Sequence, residues 1–224
     1  MAEVIAHRGA NREARENSLE AFRLALDAGA DGIELDVQSS AGGTPVVHHD
    51  GHREVDGETI RLADLPAAEL QRRFEIPSLA DVLTAVGGRC RLYIELKDGA
   101  ALEQVVSLTR GRESWCALHS FDHRLAARAG SVNPSVSTGI LLVSRLVDTA
   151  GAMRAAGARD VWPRWEFIDA ELVAEVHGAG GRVIAWTVDD VSVARRLQSI
   201  GVDGVCTDLP RDLVAAIHDS SRRP

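Results

Sequence analysis

The chain has 224 residues, 45% of them apolar and 26% charged, with a formal net charge of −8. That balance is ordinary for a globular protein and leaves enough apolar material for a sizeable core. The acidic surplus argues against nucleic acid as a partner, because backbone phosphates need a basic face, whereas a small phosphate-bearing ligand needs only a local group of cations.

The N-terminus, Met-Ala-Glu-Val-Ile-Ala-His, has neither the basic nor the apolar region of a signal peptide. No apolar run reaches the ~18 residues of a membrane span. Cys90, Cys116 and Cys206 lie far apart in no Cys-x-x-Cys pattern, and an odd number of such residues reads as reduced core thiols. The expectation is a cytoplasmic protein without a membrane span, its oligomeric state left open.

Val4–His7 is the first predicted strand. His7 ends it and is followed by Arg8 and Gly9, a cation and then a residue that lets backbone approach a ligand. Glu16-Asn17-Ser18-Leu19-Glu20 reads as a helix start, with Ser18 or Asn17 as N-cap, leading into a helix over Ser18–Ala28. The second strand is Gly32–Val37. Side chains alternate along a strand, so Glu34 and Asp36 share one face and Ile33, Leu35 and Val37 the other.

Gly42-Gly43 and a further strand, Pro45–His49, then read as a hairpin. His48 and His49 face opposite ways, so only one can look into a site. From Gly51 to Glu75 the chain is polar and irregular, with room for a short helix at Leu65–Arg72. Ser39–Glu75 is therefore expected to be an excursion from the rim of the fold.

The remaining predicted strands are Leu92–Leu96, Cys116–Ser120, Thr138–Val143, Asp160–Pro163, Val183–Val188 and Gly204–Thr207. Between and after them lie helices at Ala100–Arg110, Asp122–Ala129, Asp148–Ala156, Ala170–His177, Val191–Ile200 and Asp212–His218. Such alternation predicts an α/β fold, a single (β/α)8 TIM barrel over residues 1–224 with a short inserted excursion (39–75) after strand 2. The rival is an open doubly wound sheet, but no Gly-x-Gly-x-x-Gly follows the first strand.

In the third barrel strand and just after it, Glu95 and Lys97 share a face opposite Ile94 and Leu96. Lys97 is the one lysine in a chain with 24 arginines, and a compact ammonium is not interchangeable with a planar guanidinium. If the apolar faces pack against helices, Glu34, Asp36 and Glu95 turn inward. They are then either strand-end acids with ion-pair partners or ligands of a divalent cation, since unpaired buried charge is costly. All-oxygen donors favour Mg²⁺ or Ca²⁺ over Zn²⁺. Two histidines, three acids and the pair Arg8 and Lys97 are the ingredients of phosphoryl transfer: metal, cations on phosphate and two proton carriers. Phe121 and Trp186 are candidate walls for a substrate's carbon skeleton, and Trp162 and Trp165, flanking Pro163-Arg164, are further candidates for the mouth.

In this order the chain carries His7-Arg8-Gly9, Glu16-Asn17-Ser18, Glu34-Leu35-Asp36-Val37, Val46-Val47-His48-His49-Asp50 and Ile76-Pro77-Ser78-Leu79. It continues with Ile94-Glu95-Leu96-Lys97, Ser120-Phe121-Asp122, Trp186-Thr187-Val188 and Gly201 through Pro210. Through nearly its whole length it thereby resembles the glycerophosphodiester phosphodiesterases. The resemblance implies a (β/α)8 barrel with a segment inserted after the second strand and one divalent cation on Glu34, Asp36 and Glu95. It further implies His7 and His49 as the acid–base pair, Arg8 and Lys97 on the phosphate, and Asn17 near metal and substrate. His49 is the match because the family's histidine directly precedes the aspartate. Gly51-His52-Arg53-Glu54-Val55-Asp56 departs from the family's usual continuation, and His119 is not expected before Ser120-Phe121 and has no assigned role.

The implied reaction is hydrolysis of a small-molecule glycerophosphodiester to sn-glycerol 3-phosphate and an alcohol, with His7 favoured as base and His49 as acid. Two alternatives stand beside it. One is a lysophospholipase D-type cleavage of a lipid phosphodiester, for which the short excursion leaves little apolar material. The other is a non-catalytic phosphate-binding barrel, which should have lost one of the seven polar positions; all are present.

Overall fold

The computed structural model describes residues 1–218, so the end of the domain expected over 1–224 lies outside the described residues. Eight strands carry the architecture: β1 (Glu3–His7), β2 (Gly32–Ser39), β3 (Arg91–Leu96), β4 (Cys116–Ser120), β5 (Ser137–Leu142), β6 (Asp160–Pro163), β7 (Arg182–Ala185) and β8 (Gly204–Thr207). Each runs parallel to its sequence neighbours, and β1 pairs with both β2 and β8, closing the ring. At least one helix follows each strand before the next, and Pro210–His218 follows the last. This is the expected (β/α)8 barrel.

Strand alternation sorts the core into two layers. Ile33, Leu35 and Val37 of β2 and Leu92, Ile94 and Leu96 of β3 point outward, into one cluster with Phe22, Leu79 and Val82 of the surrounding helices. The inward residues Ile5, Tyr93, Ala117, Leu141, Trp162, Ile184 and Cys206 form a separate cluster that plugs the barrel. Trp162 is among the largest fully buried side chains, and truncating such a residue to alanine costs about 3–5 kcal/mol through the cavity it leaves.

Most observed bounds differ from the expected ones by a residue or two. The larger difference is in β7, which ends at Ala185 rather than Val188. Beyond it Trp186 keeps only an isolated bridge to Arg164, and its indole Nε1 donates to the Trp162 carbonyl at 2.8 Å. The indole bond adds to the backbone bonds that Trp186 keeps with Pro163 and Trp165.

The excursion is more regular than expected. Pro45–Val47 runs antiparallel to the end of β2, with Val37 opposite Val47. His52–Val55 and Glu58–Arg61 then form a two-stranded hairpin. Its turn is Asp56-Gly57, with φ of 52° and 83°, the left-handed pair that a two-residue type I′ turn requires. A helix at Ala67–Phe74 begins after Pro66. Val46, Leu62, Leu70 and Ile76 make a small apolar cluster beneath this segment. A further helix, Leu79–Val86, was not among the expected elements. Ser78 caps it, and Asp81 completes a capping box.

Candidate active site

The C-terminal ends of the strands surround a cavity of about 200 Å³ lined by His7, Arg8, Glu34, His49, Glu95 and Lys97, with Phe121 and Trp186 on its wall. Barrel enzymes place their chemistry at this end. A larger cavity, about 690 Å³, opens near the first residues of β1, β3 and β7 and is lined by Glu3, Arg91, Arg159, Arg182 and Asp203. It contains no histidine, and its Arg182 is paired with Glu3 at 2.9 Å. The smaller cavity is where acids, cations and histidines converge.

Strand register explains the convergence. His7 lies opposite Glu34 across β1 and β2, Asp36 opposite Glu95 across β2 and β3, and Glu95 opposite His119 across β3 and β4. The three acids are buried: Glu34 is 4% exposed, Asp36 1% and Glu95 6%. Lys97 Nζ stands 2.9 Å from Asp36 Oδ1 and 2.6 Å from Glu95 Oε1. Arg8 Nε is 3.1 Å from Asp36 Oδ2, while its Nη1 donates to Glu16 Oε2 at 2.9 Å. Asn17 Nδ2 donates to Asp36 Oδ2 at 2.8 Å, and its Oδ1 accepts from the Asp36 amide.

The ionisation of these groups follows from the contacts. Burial works against the Asp36 carboxylate, but Lys97, Arg8 and Asn17 outweigh it and hold the group below the ordinary aspartate value. Glu95 goes the other way. Burial, with Glu34 and Asp36 adding repulsion, pushes it above the ordinary glutamate value despite Lys97. Two cations thus face three buried acids.

Local backbone geometry aims Arg8 and Asn17. Both have φ of 56°, a region that costs most L-residues roughly 1–2 kcal/mol. The Arg8 amide consequently donates to Glu34 Oε2 at 3.2 Å. Gly9, at φ 83°, packs where an added Cβ would lie 2.7 Å from the Ala21 carbonyl carbon; only glycine permits this approach of the β1 loop to the following helix.

His7 and His49 share a construction. His7 Nδ1 donates to Asp208 Oδ1 at 2.7 Å, and His49 Nδ1 donates to Asp50 Oδ1 at 2.8 Å. In the tautomer these bonds select, Nε2 carries the lone pair. Asp208 is itself held by Asn11 Nδ2 at 2.6 Å, and its amide donates to Asp189 Oδ1 at 2.8 Å. Burial opposes the charged His7 ring, but the Asp208 hydrogen bond and the Glu34 charge prevail, so its pKa lies above the ordinary histidine value. His48 turns away, into two neighbouring clefts, as alternation requires.

Phe121 and Trp186 meet edge to face at 5.4 Å, and Lys97 Nζ lies 6.0 Å from the Phe121 ring centre. Phe121 remains 41% exposed, so it faces the entrance. Asp36 and Asn17 do not line the cavity; they stand behind it, and Asn17 borders the cleft that holds His48. Trp165 is not among the lining residues either, whereas Trp162 is.

Two site residues have no role in the sequence reading. Asp208 stands in the Thr-Asp-Leu-Pro element but is 201 positions from His7, so spacing could not connect them. His119 is 1% exposed, and among the described residues neither ring nitrogen has a hydrogen-bond partner. Each unpartnered buried polar atom costs about 1–3 kcal/mol. Its Nε2 is 3.7 Å from Glu34 Oε1. Donor atoms of Glu34, Glu95 and His119 all lie within 4.8 Å of one another. The signal for this was present: His119 alternates with Ala117, whose side chain also points inward.

A closed parallel barrel with paired acids, two cations and two carboxylate-backed histidines at its C-terminal mouth defines a phosphoryl-transfer class of barrel enzyme. The glycerophosphoryl diester phosphodiesterase family matches residues 7–212, and the chain belongs to that family. It is 31% identical to a glycerophosphodiester phosphodiesterase of Caldanaerobacter subterraneus subsp. tengcongensis, over 94% of this chain and 96% of the relative. Among solved structures it resembles an Oleispira antarctica phosphodiesterase in complex with the product sn-glycerol-3-phosphate, at TM-score 0.87 and 25% identity, covering 97% of each chain. It also resembles the glycerophosphodiester phosphodiesterase of Thermotoga maritima, at TM-score 0.86 and 25% identity, covering 96% of this chain and 97% of that one. The protein is accordingly a phosphoric diester hydrolase.

Proposed function

We propose that residues 1–224 form one catalytic domain that hydrolyses glycerophosphodiesters to sn-glycerol 3-phosphate and an alcohol, with one divalent cation, in a reducing compartment such as the cytoplasm. The observation that carries the metal is the charge count: Glu34, Asp36 and Glu95 are buried together, and Arg8 and Lys97 leave one carboxylate uncompensated. An unpaired buried charge costs several kcal/mol. The donor set is consistent with a cation, since all three acids share the inner face of adjacent strands. Bound there, the cation would supply Lewis-acid polarisation of the phosphoryl oxygens. The three free buried thiols support a reducing compartment.

The residues of the chain divide the remaining work. Arg8 and Lys97 face the cavity and neutralise the phosphoryl oxygens. Lys97 is oriented by Asp36 and Glu95, and Arg8 by Glu16 and Asp36. His7 is the base: Asp208 on Nδ1 stabilises the imidazolium that forms when Nε2 takes a proton, the logic of a carboxylate–histidine pair. His49 acts in its imidazolium form: Asp50 holds the Nδ1 proton, and Nε2 delivers its proton to the leaving alkoxide. Asn17 orients Asp36. Phe121 and Trp186 hold the carbon skeleton, and their edge-to-face contact fixes the wall. The C2 hydroxyl of glycerol is the favoured nucleophile, because an intramolecular attack can contribute roughly 7–11 kcal/mol by proximity; it expels the alcohol and forms a cyclic phosphate, which water then opens to sn-glycerol 3-phosphate. A 2-deoxy analogue should then bind as an inhibitor and resist cleavage.

The test is turnover before and after chelation. EDTA should abolish release of the alcohol, and Mg²⁺ or Ca²⁺ should restore it. Full activity in a metal-free sample would show that Arg8 and Lys97 suffice. Glu34→Ala and Glu95→Ala should each weaken cation binding.

A further inference from the structure

We infer that His119 is a ligand of the divalent cation, its Nε2 joining Glu34 and Glu95, so that the site is a mixed nitrogen–oxygen site with a relative preference for Mn²⁺ over Ca²⁺. The inference rests on the metal-assisted reading above and adds to it a residue and a selectivity.

Three independent features converge on His119. The first is its position. Register sets Asp36, Glu95 and His119 side by side across β2, β3 and β4, and Glu34 lies on the same face of β2 as Asp36. The second is its unmet hydrogen bonding. The ring is 1% exposed and stacks on Trp162 at 4.6 Å with an interplanar angle of 26°, yet among the described residues Nδ1 and Nε2 both lack hydrogen-bond partners. A histidine kept only for packing would leave both nitrogens unsatisfied. Donation of the Nε2 lone pair to a cation satisfies one of them and leaves Nδ1 to carry the proton.

The third is distance. The donor atoms of Glu34, Glu95 and His119 lie within 4.8 Å of one another. Ligands about 2.1 Å from a common ion are at most ~4.2 Å apart, so closing the set needs only small side-chain movements. Asp36 is the contrasting case: Lys97, Arg8 and Asn17 already occupy its oxygens. His119 is the better placed third donor, and Asp36 joins only by exchanging a contact with Lys97 or Arg8. A carboxylate-only set suits Ca²⁺ and Mg²⁺, and an imidazole in the set favours transition ions.

The experiment uses the full chain loaded with Mn²⁺. Electron spin-echo envelope modulation of the wild type should show a directly bound ¹⁴N, and the coupling should vanish in His119→Gln. By calorimetry His119→Gln should weaken Mn²⁺ binding by roughly 10–100-fold and change the Ca²⁺ affinity by less than about threefold. Should His119→Gln not fold, the double variant His7→Gln/His49→Gln decides: retention of the coupling assigns it to His119, and its loss overturns the inference. Mn²⁺ bound without a ¹⁴N coupling, or with one that persists in His119→Gln, overturns the role of His119 and leaves metal dependence standing. A wild type that binds neither ion overturns the metal-assisted reading and the inference with it.

Discussion

Lys97 bridges Asp36 and Glu95 through one nitrogen, at 2.9 and 2.6 Å. A planar guanidinium cannot place a single compact charge between two such oxygens and still face the cavity. Lys97→Met is expected to lower kcat/KM by about 10²–10³, the usual size of a lost electrostatic contact to a transition state. Lys97→Arg should recover only part of that, measured on the same substrate. The histidines divide in the same way. His7→Ala and His49→Ala should each lower kcat by about 10²–10⁴, and His48→Ala should be mild, because His48 opens onto other clefts.

Asp208→Asn tests the partner of His7. The carboxylate raises the His7 pKa against burial, and a base acts in its neutral form. The acid limb of the kcat/KM profile reports that ionisation. In Asp208→Asn the pKa falls, so that limb should move to lower pH while kcat drops. An unmoved limb would mean that His7 is not the group titrating in the profile. Of these residues, His7, Glu34, Glu95, Arg8 and Lys97 were legible in the sequence as polar groups at or beside strand ends, whereas the choice of His49 over His48 came from the family resemblance. Asp208 was not legible, because its role depends on closure of the ring between β1 and β8.

At the scale of elements, what could be read depended on how local the determining interactions are. The barrel strands announce themselves by apolar runs with inward acids, and Pro45–Val47 by the glycines before it. The hairpin at His52–Val55 and Glu58–Arg61 lacks apolar alternation, being charged and largely exposed. Its one local signal is Asp56-Gly57. The helix at Leu79–Val86 carries a stronger signal, Ser78 with Asp81, followed by Leu79, Val82, Leu83 and Val86 on its buried face. Ser78→Ala should destabilise the fold by about 1 kcal/mol, the usual cost of a lost N-cap, as read by denaturant unfolding. No loss would show that the capping box is redundant with the packing of that face. Gly9 is tied to function more directly, since a side chain there would displace Ala21 and with it the Arg8 turn.

For the whole molecule, the barrel turns a list of separated polar residues into one site. Positions 7 and 208 share a hydrogen bond, and positions 34, 95 and 119 share a donor cluster. Among the described residues no helix is long and apolar enough to cross a membrane. The cavity has an aromatic wall of Phe121 and Trp186 and a volume of about 200 Å³, which suits a glycerol phosphate moiety better than an acyl chain. The most direct measurement follows ³¹P resonances of glycerophosphocholine and of lysophosphatidylcholine incubated with the protein and a divalent cation. Glycerophosphocholine should be converted to sn-glycerol 3-phosphate, with much slower loss of the lipid. Cleavage of lysophosphatidylcholine in preference to glycerophosphocholine, or of neither, would overturn the proposed reaction.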